Sequence, residues 1–555
     1  MAGRLVRLRD AFPGRVRSVF PGAAPFDGQE YAGFAQFLIS NLLGGLGFFH
    51  GDSKVDQSRS PAYEETDVRF WDAAAIEMRK ANVTAVGPVS LLSHTPSRPF
   101  FPRGFLWDEG FHLLPVLEWD LDLAVAVVKS WLALMDGDGW IAREQILGPE
   151  ARSKVPPEFQ TQYPHYANPP TLLLLVQPLV SRLTKATPYR GNPSVYLASE
   201  SAARSLLEDI YPLLCRHYRW FRTTQAGDLS KAFPRPQGFE AGEAYRWRGR
   251  TPRHCLTSGL DDYPRANPPH PGELHVDALS WVGAAADAMH GFALHMRRGW
   301  DASLFAGHAA AARRNLDVLH WDPAREAYCD ATVRDGGFER VCHLGYVSLM
   351  PFLLGLVGAD HTHLPAVLDL MADPERLWSP HGLRSLTPGD DGYGRDEDYW
   401  RGAVWMNLNV LAVLRLRQIG EQDGPERNRA RVLAAELRDA VLHTVYDSWK
   451  ATGFVWEQYD DKTGQGRRSK AFTGWTACVL LLFGLEDQGR RRSGLHGDEA
   501  PPVGGGMSGW LSSQPLWFSF ALMVLLVALR RRLVVLWRSG IGSQMSGRRS
   551  RRHES

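Results

Sequence analysis

About twelve apolar runs with the 3.6-residue period of helices occupy most of this chain, near residues 31–47, 110–119, 121–134, 171–183, 199–221, 276–296, 302–319, 346–356, 364–371, 404–419, 430–445 and 475–485. Strand-like alternation is scarce between them. Helices of this kind must cover one another's apolar faces, either as a solenoid or as a closed ring. No repeat of about 34 to 47 residues is visible, which speaks against the regular solenoids. A toroid of paired helices needs no sequence repeat, and its connecting loops gather at the ends of the barrel. The chain therefore reads as all-α.

Composition narrows what such a fold serves. An apolar fraction of 44% over 555 residues supplies a large core. The 63 basic and 61 acidic residues leave a formal charge of +2, which points to no nucleic acid or acidic partner. No Gly-rich phosphate loop follows a strand. Five widely spaced cysteines (Cys215, Cys255, Cys329, Cys342, Cys478) contain no CxxC pair, so neither a zinc site nor a full disulfide framework is indicated. With no metal-ligand spacing in view, no metal and no cofactor are expected. One sequon, Asn82-Val-Thr84, is a glycosylation site if the chain enters the secretory pathway.

The ends carry targeting cues. Residues 1–25 are basic without a continuous apolar stretch, so they do not form a readable signal peptide. Residues 487–506 are rich in Arg, Gly and Pro and read as a linker, 507–537 as a transmembrane segment, and 538–555 as a basic tail. The tail's charge favours a cytosolic C-terminus.

Loops between the helical runs hold the chemistry. FFPRGFLWDEGFH from Phe100 sets Phe105 and Trp107 beside Asp108 and Glu109, and DGDGWIAREQILG from Asp136 carries Trp140, Arg143, Glu144 and Gln145. YRWRGR from Tyr245 precedes SGLDDYPRANPP, with Asp261, Tyr263 and Arg265, and ELHVD, with Glu273 and Asp277. DEDYWRGAVWMNLN brings Trp400 and Arg401, and ATGFVWEQYDD brings Trp456 and Glu457. Aromatic faces suit the apolar side of a sugar ring, while carboxylates and arginines hold its hydroxyls by charge-assisted hydrogen bonds.

These stretches, together with VPPEF, HYANPPTLLL and LGYVSLMPFLL, occur in an order that resembles glycoside hydrolase family 63 and, within it, the mannosyl-oligosaccharide glucosidases. The resemblance covers residues 26–486. It implies an (α/α)6 toroid that removes the terminal α-1,2-linked glucose of the triglucosylated N-glycan precursor, with inversion. The partner implied is the N-linked oligosaccharide of nascent glycoproteins, and the place the endoplasmic reticulum membrane, with the catalytic domain lumenal. The family's general acid falls on Asp261 and its general base on Glu457. The other residues named above are then expected to bind the glucose and its neighbours.

Inverting hydrolysis needs a protonated carboxyl for the leaving oxygen and an ionised one for water, about 6.5 to 9.5 Å apart. The adjacent Asp262 is a like charge that would raise the pKa of Asp261, but neighbour arguments alone do not separate the two aspartates. Glu273 and Asp277, at i and i+4, share one helical face, which suits a working acid pair as well as ordinary first-turn charges. The sequence departs from the family in that the N-terminal β-sandwich is largely absent. Two further readings stand beside the glucosidase: another inverting glycosidase on the same toroid, such as a trehalase-like enzyme, and an inactive, lectin-like product.

Overall fold

In the computed structural model, which describes residues 2–232 and 242–486, six inner helical segments stand side by side in a closed ring. They are Leu106–Trp119, the 3-10 turn Thr171–Leu175 running into Val176–Leu183, Val276–His295, Tyr346–Leu353, Met406–Glu421 and the 3-10 helix Trp475–Leu482. The last packs against the first, closing the ring; Cys478 Sγ lies 3.1 Å from the carbonyl oxygen of Phe111. Between successive inner members the chain passes through Leu121–Leu132, Glu200–Thr224, Gly299–Asn315, Leu364–Ala372 and Arg427–Thr452, which with Gln29–Gly44 form the outer layer. This is the (α/α)6 toroid.

The two layers differ in sequence for a physical reason. In Val276–His295 every position from Val276 to Gly283 is buried, because an inner helix has protein on all sides. Glu200–Thr224 instead buries Ala203, Leu206, Leu207, Ile210 and Leu214 on one stripe while Arg204 and Glu208 face solvent. The Oγ of Ser199 caps its start by accepting the Ala202 amide at 3.2 Å. Asp120 does the same for Leu121–Leu132 through the Leu123 amide.

Residues at or just before the starts of Leu106–Trp119, Thr171–Leu175, Met406–Glu421 and Trp475–Leu482, namely Trp107, Asn168, Trp400 and Trp475, line one cavity.

Two features were not legible as helices or loops. The run at 31–47 breaks at Gly44 and Gly45, where a Cβ on Gly45 would lie 2.9 Å from Thr473, and the chain turns into a strand, Leu46–Asp56. That strand pairs antiparallel with Val83–His94, with an irregularity between Gly51 and Ser53. The basic start of the chain is a helix, Ala2–Val19, packed on Gln29–Gly44; Val16 is buried and Arg15 lies over the Trp119 ring at 4.2 Å.

A disulfide joins Cys329 to Cys342 across the base of the hairpin Asp330–Arg334 with Gly337–Val341. Cys215, Cys255 and Cys478 are free thiols. No helix among the described residues is long and apolar enough to cross a membrane. The linker at 487–506, the apolar stretch at 507–537 and the tail at 538–555 lie outside the described residues.

Candidate active site

Beside the starts of several inner helices, a cavity of about 360 Å³ opens to solvent. Asp108, Asp261 and Glu457 line it, with Arg143, Glu144, Asn168 and Tyr399 among the polar groups and Phe105, Trp107, Trp400, Phe472 and Trp475 among the rings. Its aromatic floor is continuous. Trp400 stacks on Trp405 at 3.7 Å and 7°, and Trp475 meets both Trp107 and Trp405 at under 6 Å. Gly259 has φ +76°, and a Cβ there would reach 2.8 Å from the Trp107 indole, so only glycine fits.

The two neighbouring aspartates have opposite surroundings. Asp262 is buried; its Oδ1 accepts the Trp400 amide at 2.7 Å and its Oδ2 the Tyr399 amide at 3.0 Å, while Arg401 Nε lies 3.4 Å from Oδ2. Asp261 faces the cavity, and no hydrogen bond to its side chain is present among the described residues. Burial pushes the Asp261 carboxyl up to about 7; Arg143 opposes this, and Asp262, Glu144 and Glu397 add to it.

Glu457, on the strand Trp456–Tyr459, is held at both oxygens. The Tyr399 hydroxyl donates a short hydrogen bond to Oε1, and the Ser469 amide donates to Oε2 at 3.1 Å. Burial raises its pKa, and these two donors and Arg468 act against the rise. Burial and the charge of Glu457 hold Asp108 well above the usual carboxylate range. Glu144 is fixed between Arg103 and Arg143, at 2.8 and 2.7 Å. Two donors, Asn168 Nδ2 and Trp400 Nε1, are buried with no acceptor among the described residues.

The structure thus brings Phe105, Trp107, Asp108, Arg143, Glu144, Trp400, Asp261 and Glu457 to one cavity. The remaining sequence-expected sugar contacts do not line it, and most are committed to protein partners. Glu109 is buried behind the wall, accepting from His94 Nδ1 at 2.7 Å, the His94 amide at 2.9 Å and Ser93 Oγ at 2.7 Å. Burial works against its ionisation, but His94 and His112 hold its pKa at about 2. Glu109 with His94 and His112 forms a set of three ligating atoms within 4.8 Å of one another, but the direct His94–Glu109 hydrogen bond occupies the space a metal would need. Trp140 donates through Nε1 to the Tyr166 carbonyl, and Gln145 through Nε2 to that of Ala142.

Tyr263 donates to the His343 carbonyl. Arg265 is buried between Asp277, at 2.6 Å, and Asp330, at 2.8 Å. Glu273 accepts from the His270 amide and lies 3.1 Å from His275 Nε2. The pair at i and i+4 is therefore two separate ion-pair anchors. Arg401 is spent on Asp262 and Asp396, and Trp456 donates to Thr452 Oγ1.

Sequence reasoning passed over Tyr399, Trp475 and Asn168. Tyr399 sits one position before Trp400 in a motif already quoted, and its value lies in a contact with Glu457 made across 58 residues.

The family model described as "Glycosyl hydrolase family 63 C-terminal domain" matches residues 3–338 and 332–485. The "Probable mannosyl-oligosaccharide glucosidase" of Schizosaccharomyces pombe is 44% identical over 496 residues, 85% of this chain and 61% of that protein. The "Mannosyl-oligosaccharide glucosidase" of Saccharomyces cerevisiae is 40% identical over 481 residues, 81% of this chain and 57% of that protein. The chain thus spans about three-fifths of the length of these curated relatives. Among solved structures, the family 63 mannosylglycerate hydrolase from Thermus thermophilus, in complex with glucose, superposes with a TM-score of 0.52 at 18% identity, covering 70% of this chain and 95% of that one.

Proposed function

Because this chain belongs to glycosyl hydrolase family 63, we propose that it is an inverting exo-α-glucosidase that removes the terminal α-1,2-linked glucose from the triglucosylated N-glycan precursor. Two relatives at 40% identity or more are named mannosyl-oligosaccharide glucosidases, and that supports the substrate class. The observation that carries the chemistry is the contrast between the two carboxyls in one cavity. Burial pushes the Asp261 carboxyl up to about 7, and no donor among the described residues holds it, whereas Glu457 is fixed at both oxygens.

In this reading Asp261 is the general acid. It remains protonated up to near neutrality and gives its proton to the leaving glycosidic oxygen. Glu457 is the general base: oriented by Tyr399 and the Ser469 amide, it takes a proton from the water that attacks the anomeric carbon on the opposite face. Asp108, kept protonated by its surroundings, donates a hydrogen bond to a glucose hydroxyl, and Asn168 Nδ2 is a second donor. Trp107, Trp400 and Trp475 pack against the ring.

The disulfide supports an oxidising compartment such as the lumen of the endoplasmic reticulum, and Asn82 of the sequon is exposed. The test is hydrolysis of a triglucosylated glycan followed by NMR before mutarotation. β-Glucose as first product is expected; α-glucose, or no release of glucose, sinks the reading.

A further inference from the structure

At the mouth of the cavity the chain makes a short turn that neither acid–base chemistry nor the core explains. Val155, Pro156 and Phe159 line the cavity; Val155 is buried, Pro156 is exposed, and Phe159, the last residue of the 3-10 turn Pro157–Phe159, is 50% exposed. A single exposed phenylalanine is ordinary. This one is mounted rigidly. Gln160, the next residue, donates through Nε2 to the carbonyls of Arg152 and Val155 at 3.0 and 2.9 Å, and its Oε1 accepts from Lys54 Nζ at 2.9 Å.

Thr161–Gln162 then pairs in parallel with Lys54 and Val55 of the long strand. On the other side, Gln162 Oε1 accepts the amide of Glu144, a cavity residue. Arg152, at the start of the segment, is tied to Asp52. The turn is thus fixed both to the strand pair and to the cavity wall, while Pro156 and the Phe159 ring are left exposed.

The deep end of the cavity holds the carboxyls and the indoles; Pro156 and Phe159 present apolar ring faces where a bound saccharide would leave it. We propose that the turn at residues 155–159 is the platform for the sugar adjacent to the glucose that is cleaved, with the Phe159 ring against the C–H face of that pyranose. The inference rests on the glucosidase reading, since it takes the deep end as the place of the terminal glucose. It makes Phe159 a specificity-determining residue that selects a saccharide over a small leaving group.

The test uses the full chain and a glucose-terminated α-1,2-linked oligosaccharide, with a glucose-like iminosugar monosaccharide as a probe of the deep end alone. Phe159→Ala and Phe159→Leu are expected to raise KM for the oligosaccharide about tenfold, with kcat changed less than threefold. Phe159→Tyr restores the wild-type KM, because stacking needs an aromatic face and not merely apolar cover. The iminosugar inhibition constant stays within about twofold in all three. Wild-type KM in the Ala and Leu variants, or an equal loss of iminosugar affinity, overturns the inference while leaving the glucosidase reading intact. Wild-type protein that neither binds nor cleaves the oligosaccharide overturns both.

Discussion

Asp262 accepts the backbone amide of Trp400 at 2.7 Å, and this contact, across 138 residues of chain, fastens the loop that carries one catalytic candidate to the loop that carries the aromatic floor. Its neighbour Asp261 makes no such contact. Adjacent aspartates thus divide the work, one holding the site together and one facing the cavity.

The division is measurable by exchanging each for asparagine. Asp262→Asn removes a buried, doubly hydrogen-bonded charge and is expected to cost about 1.5 to 3 kcal/mol, seen as a lower Tm. Asp261→Asn removes a carboxyl that burial destabilises, so its Tm should hold or rise while activity falls by roughly 10²–10⁴-fold. Thermal melts and glucose release read both effects, and a large loss of Tm in Asp261→Asn would contradict the assignment.

The pH profile follows from the direction of the Asp261 shift. A general acid must be protonated, so kcat/KM should decline as pH rises through about 7. Stability carries the matching sign. The folded pKa lies above the unfolded one, so between roughly pH 4 and 7 the native state binds more protons than the unfolded state, and this group's contribution worsens with rising pH. Asp261→Asn should therefore gain stability relative to wild type across that window, and denaturant titrations at pH 4.5 and 7.5 would show it.

Gly259→Ala tests the cavity wall. The added Cβ would lie 2.8 Å from the Trp107 indole, at a φ of +76° that alanine resists. A loss of about 1 to 3 kcal/mol is expected, with weakened sugar binding because Trp107 must move. Chemical denaturation and iminosugar affinity are the readouts.

The disulfide predicts a thiol count. Without reductant, denatured protein should expose three reactive thiols, from Cys215, Cys255 and Cys478, and five after reduction. Replacing Cys329 and Cys342 by serine is expected to cost about 3 kcal/mol. The cost should reach the site, because Asp330, next to Cys329, anchors Arg265 in the segment that follows Asp261.

The helices were legible because inner and outer members leave clear apolar periods, whereas their closure into a toroid and the proposed roles of Asp261 and Glu457 were implied by the family motifs and not by the periods. The strand pair was not legible: in Val83–His94 the positions from Val83 to Ser90 have little burial on either face, so no clean alternation is written there. Glu273 and Asp277 show the opposite failure. Their spacing fits both a catalytic pair and two anchors, and only the positions of Arg265, His275 and Arg250 decide between these. Tyr399 shows a third: a residue whose role is one long-range hydrogen bond leaves no local pattern.

The closure of the ring has a consequence for how the protein is assembled. No contiguous stretch of chain contains a working site, since its wall is complete only when the segment at Trp475 closes against the helix at Leu106, a contact bridging 367 residues where Cys478 meets Phe111. Such closure incurs its loop entropy late and brings no partial reward. A ligand seated in the cavity touches both ends of that circuit, so it acts as a clasp on the whole ring, and tight binders should protect the most distant helices from unfolding as effectively as the nearest.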